Sequence, residues 1–263
     1  MPSSLESPFE NQWLVAVIVA LVLFAFSEVG YRTGLRLFAV KDEARRNQIG
    51  GVQGAVLGLL GLLLGFTFSM GVSRFESRRE LVLKEANAIG TTYLRAGLLP
   101  EKHQAPCKDL LRRFTDVRLK YQALSRDRTM LAEGLRLSLE IENELWQHAE
   151  AAAKEAPTPI TSTFIVTLNE MIDTDAERVT AGRNQIPGGV WILLVFVAAA
   201  GCYISSYGSG AQGQRSGLTT FLLPSLLVIV IVSIFDLTHS QQGVIGISQQ
   251  PMIDLQQSIA PKP

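Results

Sequence analysis

Between Ile49 and Val72 the chain carries no charge: Ile-Gly-Gly-Val-Gln-Gly-Ala-Val-Leu-Gly-Leu-Leu-Gly-Leu-Leu-Leu-Gly-Phe opens a run that ends only at Arg74. These 24 uncharged residues are long enough to cross a bilayer core as a helix. Within the run, Gly54, Gly58, Gly61 and Gly65 recur at spacings of four, three and four. At ~100° per residue they share one helix face, within an arc of ~60°. Glycines in a row on a membrane helix let a second backbone approach closely, so this face is expected to be a helix contact. No proline follows until Pro100. The helix is therefore expected to leave the membrane intact and continue past Glu85 to Ile89 or beyond, a rod of about 50 residues and ~75 Å.

The remaining apolar residues are gathered rather than spread. Stretches 13–26, 186–207 and 218–235 are also almost free of charge. The first is short for a span and must extend to about 12–30. The expected fold class is an all-α membrane protein with four transmembrane helices. The spans fall at about 12–30, 49–72, 186–207 and 218–236. The divisions are an N-terminal membrane pair (1–72), a helical soluble domain (73–185), a C-terminal membrane pair (186–237) and a tail (238–263). The stretch before Trp13 is acidic, with Glu6 and Glu10 and no Lys or Arg, so it does not read as a cleaved signal. Formal net charge is zero, which points away from a nucleic-acid partner. Cys107 and Cys202, one in a polar helix and one in a span, are not expected to pair.

Residues 73–185 carry 17 basic and 17 acidic residues in a helical pattern. Leu110, Phe114, Val117, Tyr121 and Leu124 form one stripe. A second comprises Leu131, Leu135, Leu139, Trp146 and Ala149, ending near Pro157 and Pro159. Thr161 or Ser162 is expected to cap a third helix, with Phe164, Leu168, Met171 or Ile172, Asp175 and Val179 on one side. An antiparallel bundle around Leu110, Phe114, Leu135, Leu139, Trp146, Phe164 and Leu168 follows. Pro187 suits a helix start, and Pro224 is expected to kink or open the last span.

No catalytic constellation is apparent, and no cofactor or metal is expected. His103, His148 and His239 show no ligand spacing. There is no phosphate loop or nucleophile elbow. Glu140, Glu142 and Glu144 read as a solvated surface. Glu28 reads either as an interfacial carboxylate or as an ion-pathway acid. Arg78 and Arg79 are placed to grip anionic headgroups.

The run from Leu62 to Glu76, Leu-Leu-Leu-Gly-Phe-Thr-Phe-Ser-Met-Gly-Val-Ser-Arg-Phe-Glu, resembles the pore-helix segment of bestrophins. There a Leu-Gly-Phe run precedes an Arg followed by an aromatic. Here these are Leu64-Gly65-Phe66 and Arg74-Phe75. With Arg78, the Glu85-Ala86-Asn87-Ala88-Ile89-Gly90 run and the C-terminal Ser-Gln-Gln-Pro-Met-Ile-Asp-Leu, the chain is similar over nearly its whole length to the bacterial bestrophin-like domain family. Arg74, Phe75, Arg78, Glu85 and Asn87 carry that motif. The resemblance implies a pentameric ion channel of the inner membrane, with lipid, inorganic ions and further copies of the chain as partners. It also implies both termini and the helical domain in the cytoplasm. Lys and Arg counts on the two sides tie at six, so the positive-inside rule does not decide orientation. The family's three neck positions fall on Gly58, Leu62 and Phe66, of which Gly58 departs from the bulky pattern. The tryptophans that follow the Arg are replaced by Phe75 and Glu76, and the calcium clasp of animal bestrophins has no counterpart.

Ser69, Ser73, Glu76 and Glu80 lie within ~80° of Phe66 on a continuing helix. In a ring, Glu76 and Glu80 would form an acidic pore mouth, and acidic rings favour cations. The plainer alternative pairs these glutamates with Arg79 and Lys84. A reading of another class makes the protein a non-conducting receptor or scaffold whose helical domain binds partners.

Overall fold

The computed structural model describes residues 12–37, 43–123, 128–184, 186–215, 217–238 and 246–261. All regular structure among them is helical: α1 (Gln12–Leu37), α2 (Glu43–Ala96), α3 (Glu101–Ala123), α4 (Arg128–Glu155), α5 (Pro159–Arg183), α6 (Gly188–Ala211), α7 (Leu223–Thr238) and α8 (Gln250–Ile259). A π-helical stretch, Leu218–Leu222, precedes α7. Among the described residues, four helices are long and apolar enough to cross a membrane. The chain divides into two units, residues 1–74 with 185–245, and residues 75–184 with 246–263. The 54-residue α2 contributes to both, as its lack of proline requires.

In the first unit α1 packs most extensively against α6. Gly30 lies against the backbone of Tyr203, and Gly34 against Gly210 and Ala211, so the two helices run in the same direction. Gly201 faces Leu57 while Gly208 faces Gln53, so α2 runs opposite to α6. Leu23, Leu60, Leu194, Cys202 and Ile231 fill the space between these helices. Ser27 and Ser206 satisfy each other inside it, 2.6 Å apart. Pro224 has no N–H to return to the preceding turn, and the π-helical stretch just before it is the opening the sequence predicts. Past α6, Gly213 takes φ 72°, a left-handed turn that a side chain would strain.

The second unit is a helical bundle with a core of Ile89, Leu111, Phe114, Leu145, Phe164, Leu168, Met171 and Met252. Leu110 and Phe114 are buried as their stripe predicts, whereas Leu124 lies outside the described residues. The stripe expected for α4 holds at Ala149, with Leu131 and Leu135 half-buried, and fails at Leu139 and Trp146. Leu139 and Trp146 are 57% and 37% exposed, and the buried face is Ser138, Ile141, Glu142, Leu145, Ala149 and Ala152. The apolar count misled because the true face contains a serine and a glutamate. Gly134 explains how close α4 comes to α3: a Cβ there would stand 2.5 Å from that of Tyr121. The cap of α5 is Thr158, not Thr161 or Ser162. Its hydroxyl accepts from the Thr161 N–H at 3.3 Å, and Pro159 begins the helix. On α5, Met171 rather than Ile172 joins Phe164, Leu168 and Asp175 inside.

Candidate functional site

Along its membrane part α2 has two contrasting faces. Leu60 and Thr67 are buried, at 2% and 4% exposure. On the other side Leu62 is 56% and Phe66 64% exposed. Gly54, Gly58, Gly61 and Gly65 also face outward: a Cβ on any of them would meet nothing within 4 Å. The glycine row therefore packs against no other described helix of this chain. The close helix contact is made instead by Gly30, Gly34 and Gly210. Their spacing was visible in the sequence as Gly30-xxx-Gly34 and Ser206-xxx-Gly210, but it lay where a span was expected to end.

A cavity of about 670 Å³ also lies in the first unit. Val15, Val22, Phe26, Trp191, Phe196 and Ile231 help to line it, and neither Leu62 nor Phe66 does. Glu28 accepts from Arg32 at 2.7 Å and from Arg215 at 2.8 Å, which makes it a paired carboxylate of α1.

Glu76 and Glu80 are exposed and make no ion pair among the described residues. Lys84, which the alternative reading pairs with these glutamates, is held 2.7 Å from Glu177 of α5. The family-motif residues do different work. Arg78 is buried, and it donates to the carbonyls of Ala181 and Asn184 at 3.1 and 3.2 Å. It thus closes the C-terminal end of α5, where helix carbonyls lack intrahelical donors, rather than gripping headgroups. Asn87 is exposed, and Phe75 is half-buried. Arg74 reaches the Met70 sulfur at 3.9 Å.

Glu85 is fully buried at the centre of an ionic network. Arg118 of α3 stands 2.8 Å from Glu85 and 2.8 Å from Asp175 of α5. Arg178 donates to Glu85 and to Gln249, the latter at 2.7 Å. Glu142 of α4 completes the group and is 6% exposed, so the solvated-surface reading fails for Glu142, while Glu140 and Glu144 are exposed. Burial, then the charges of Asp175 and Glu85, partly offset by Arg118, push its carboxyl up to about 8.

Two of the histidines, distant in the sequence, come together. His103 and His148 meet Nδ1 to Nδ1 at 3.1 Å, with Glu155 3.5 Å from His103 Nε2. Their 45-residue separation hides this contact, which depends on the pairing of α3 with α4. His239 lies outside the described residues. No group of three or more metal-binding side chains occurs among the described residues.

The bestrophin-like domain family matches residues 19–252. The chain is therefore a member of the bestrophin-like family, a multi-pass membrane protein. Solved structures similar to it include bacterial bestrophin homologues from Klebsiella pneumoniae. One, a leucine-to-threonine point mutant, is 15% identical, with a TM-score of 0.62 over 93% of this chain and 96% of that one. Another, solved by Zn-SAD phasing, is 16% identical, with a TM-score of 0.61 over 92% and 95%. A third, a tryptophan-to-alanine point mutant, is 18% identical, with a TM-score of 0.61 over 95% of each. No curated protein matches the chain. At these identities the likeness establishes the fold.

Proposed function

We propose that this protein is a subunit of an oligomeric ion channel of the inner membrane, in which α2 lines the pore. The observation that carries this reading is the outward face of α2. It presents Leu62 and Phe66 at 56% and 64% exposure, beside a glycine row that no other described helix of the chain covers. In a ring of copies, Leu62 and Phe66 form an apolar neck able to close by dewetting, with Gly58 leaving its upper end wider. Membership of the family supports a pentamer and a cytoplasmic helical unit. Glu76 and Glu80 follow on the same helix and, with no ion pair among the described residues, supply an acidic mouth that favours cations.

The test is reversal potential in planar bilayers under a salt gradient, for the parent and for Glu76→Gln with Glu80→Gln. A cation-favouring parent whose preference falls in the double variant supports the reading. A chloride-selective parent, or one indifferent to the change, removes the mouth.

A second reading is favoured by the helical unit's surface. Leu94 and Leu98 are 74% and 61% exposed and Val166 of α5 is 60% exposed. Apolar side chains on such a surface suit a protein partner, as a non-conducting scaffold would need. Purified oligomers that pass no current under any gradient favour this second reading.

A further inference from the structure

We propose that Glu142 is a proton-binding switch for the C-terminal helix α8. Protonated, it leaves the buried guanidiniums to their partners; deprotonated, it competes for Arg118 and, through the carboxylates Arg118 serves, draws Arg178 away from the tether of α8. This inference concerns the second unit and stands whether or not the protein conducts.

The cluster holds three carboxylates, Glu85 of α2, Glu142 of α4 and Asp175 of α5, against two guanidiniums, Arg118 of α3 and Arg178 of α5. Asp175, Arg118 and Glu85 act on Glu142 directly, and Arg178 acts on Glu85 and Asp175. Four of the five have visible pairing: Arg118 with Glu85 and Asp175, and Arg178 with Glu85. Glu142 is the remainder. Its Oε1 is buried without a hydrogen-bond partner, as are Glu85 Oε1 and Asp175 Oδ1, but those two stand 2.8 Å from Arg118 whereas Glu142 belongs to no ion pair among the described residues. Ionising it would put a third negative charge in a buried site with only two positive ones, and an unpaired buried charge is strongly unfavourable. A proton on Glu142 makes the cluster neutral.

The carboxyl is pushed up to about 8 by burial first and by Asp175 and Glu85 after it. The proton therefore leaves just above neutrality. Arg118, which already acts on Glu142, is then shared among three carboxylates, and Arg178, already paired with Glu85, is drawn further toward Glu85 and Asp175. Arg178 also donates to the neutral side-chain oxygen of Gln249 at 2.7 Å. Bonds to charged acceptors are the stronger, so the Gln249 bond is the one released. Gln249 is the N-cap residue of α8, and Met252, one turn on, is fully buried in the core. Proton occupancy at Glu142 is thereby linked to the seating of α8.

The direction follows from linkage. A carboxyl raised in the folded state binds a proton that the unfolded chain has lost, so its contribution is present at low pH and disappears as pH rises through about 8.

The experiment is hydrogen–deuterium exchange of the 250–259 segment in the full chain in mild detergent, from about pH 6 to about pH 9.5 and corrected for intrinsic rates. In the parent, protection of α8 should fall by about tenfold across neutrality. Glu142→Gln, which keeps the shape of the protonated acid, should hold the low-pH protection throughout, while Gln249→Ala should lose protection at every pH. A protonated-carboxyl infrared band should be present at about pH 7 and lost by about pH 9 in the parent. Parent protection that ignores pH, or a Glu142→Gln profile parallel to the parent's, overturns the proposal. If Glu142→Gln does not fold, the parent's infrared titration decides alone: no buried carboxyl losing its proton between about pH 7 and about pH 9 overturns it equally.

Discussion

Gly34 of α1 and Gly210 of α6 meet backbone to backbone: a Cβ on Gly34 would lie 3.1 Å from the Gly210 Cα and 2.9 Å from the Ala211 nitrogen. One turn earlier Gly30 meets Tyr203 in the same way, and Ser27 shares a hydrogen bond with Ser206. In a bilayer no hydrophobic force draws helices together, so close approach and interhelical hydrogen bonds carry the contact. Gly34→Leu should separate α1 from α6 and abolish a monodisperse peak in detergent chromatography. Gly50→Leu, where nothing lies within 4 Å, should leave that peak unchanged.

The glycine row of α2 is expected to behave differently. Gly61→Leu meets no neighbour within the chain, so the thermal stability of the protomer should hold. If copies of α2 face one another, native mass spectrometry should instead show fewer full-size oligomers. An unchanged oligomer distribution for both Gly58→Leu and Gly61→Leu would remove the row from the assembly.

In the helical unit the corrected phase of α4 sets up a contrast. Phe114 is fully buried, and Phe114→Ala should lower stability by about 3–5 kcal/mol in denaturant melts. Leu139→Ala, at a position 57% exposed, should change it by less than about 1 kcal/mol. Equal effects would return the phase to the one the apolar spacing suggested.

Arg78 is predicted to matter through α5 rather than through lipid. Arg78→Ala leaves the Ala181 and Asn184 carbonyls without their donor and should cost about 1–3 kcal/mol. Exchange protection should drop in the last turn of α5, and binding to anionic vesicles should not change. A loss of vesicle binding with α5 intact would restore the headgroup role.

The four apolar spans, the uninterrupted α2 and the core positions Phe114, Phe164 and Leu168 were legible because each depends on local spacing or on the absence of proline. The phase of α4 was not, because Ser138 and Glu142 occupy its buried face and polar residues count against burial in any periodicity. Glu142 is buried only because Arg118 and the other network members come from α2, α3 and α5, which sequence spacing does not connect. The His103–His148 contact was hidden for the same reason. Leu62 and Phe66 were located by resemblance, and their exposure is a property of the fold that hydropathy alone does not separate from lipid contact.

The pairing of α1 with α6 has a consequence for how the protein is made. Ser27 and its partner Ser206 are 179 positions apart, so α1 enters the membrane long before the ribosome has built the surface it will pack on. Meanwhile α1 must rest in lipid with Gly30 and Gly34 unmatched. The most intimate contact of the membrane unit therefore closes only after α6 has been made. A nascent chain halted before Gly210 should hold inserted spans that have not yet become a bundle, open to quality-control proteases that the finished protein escapes.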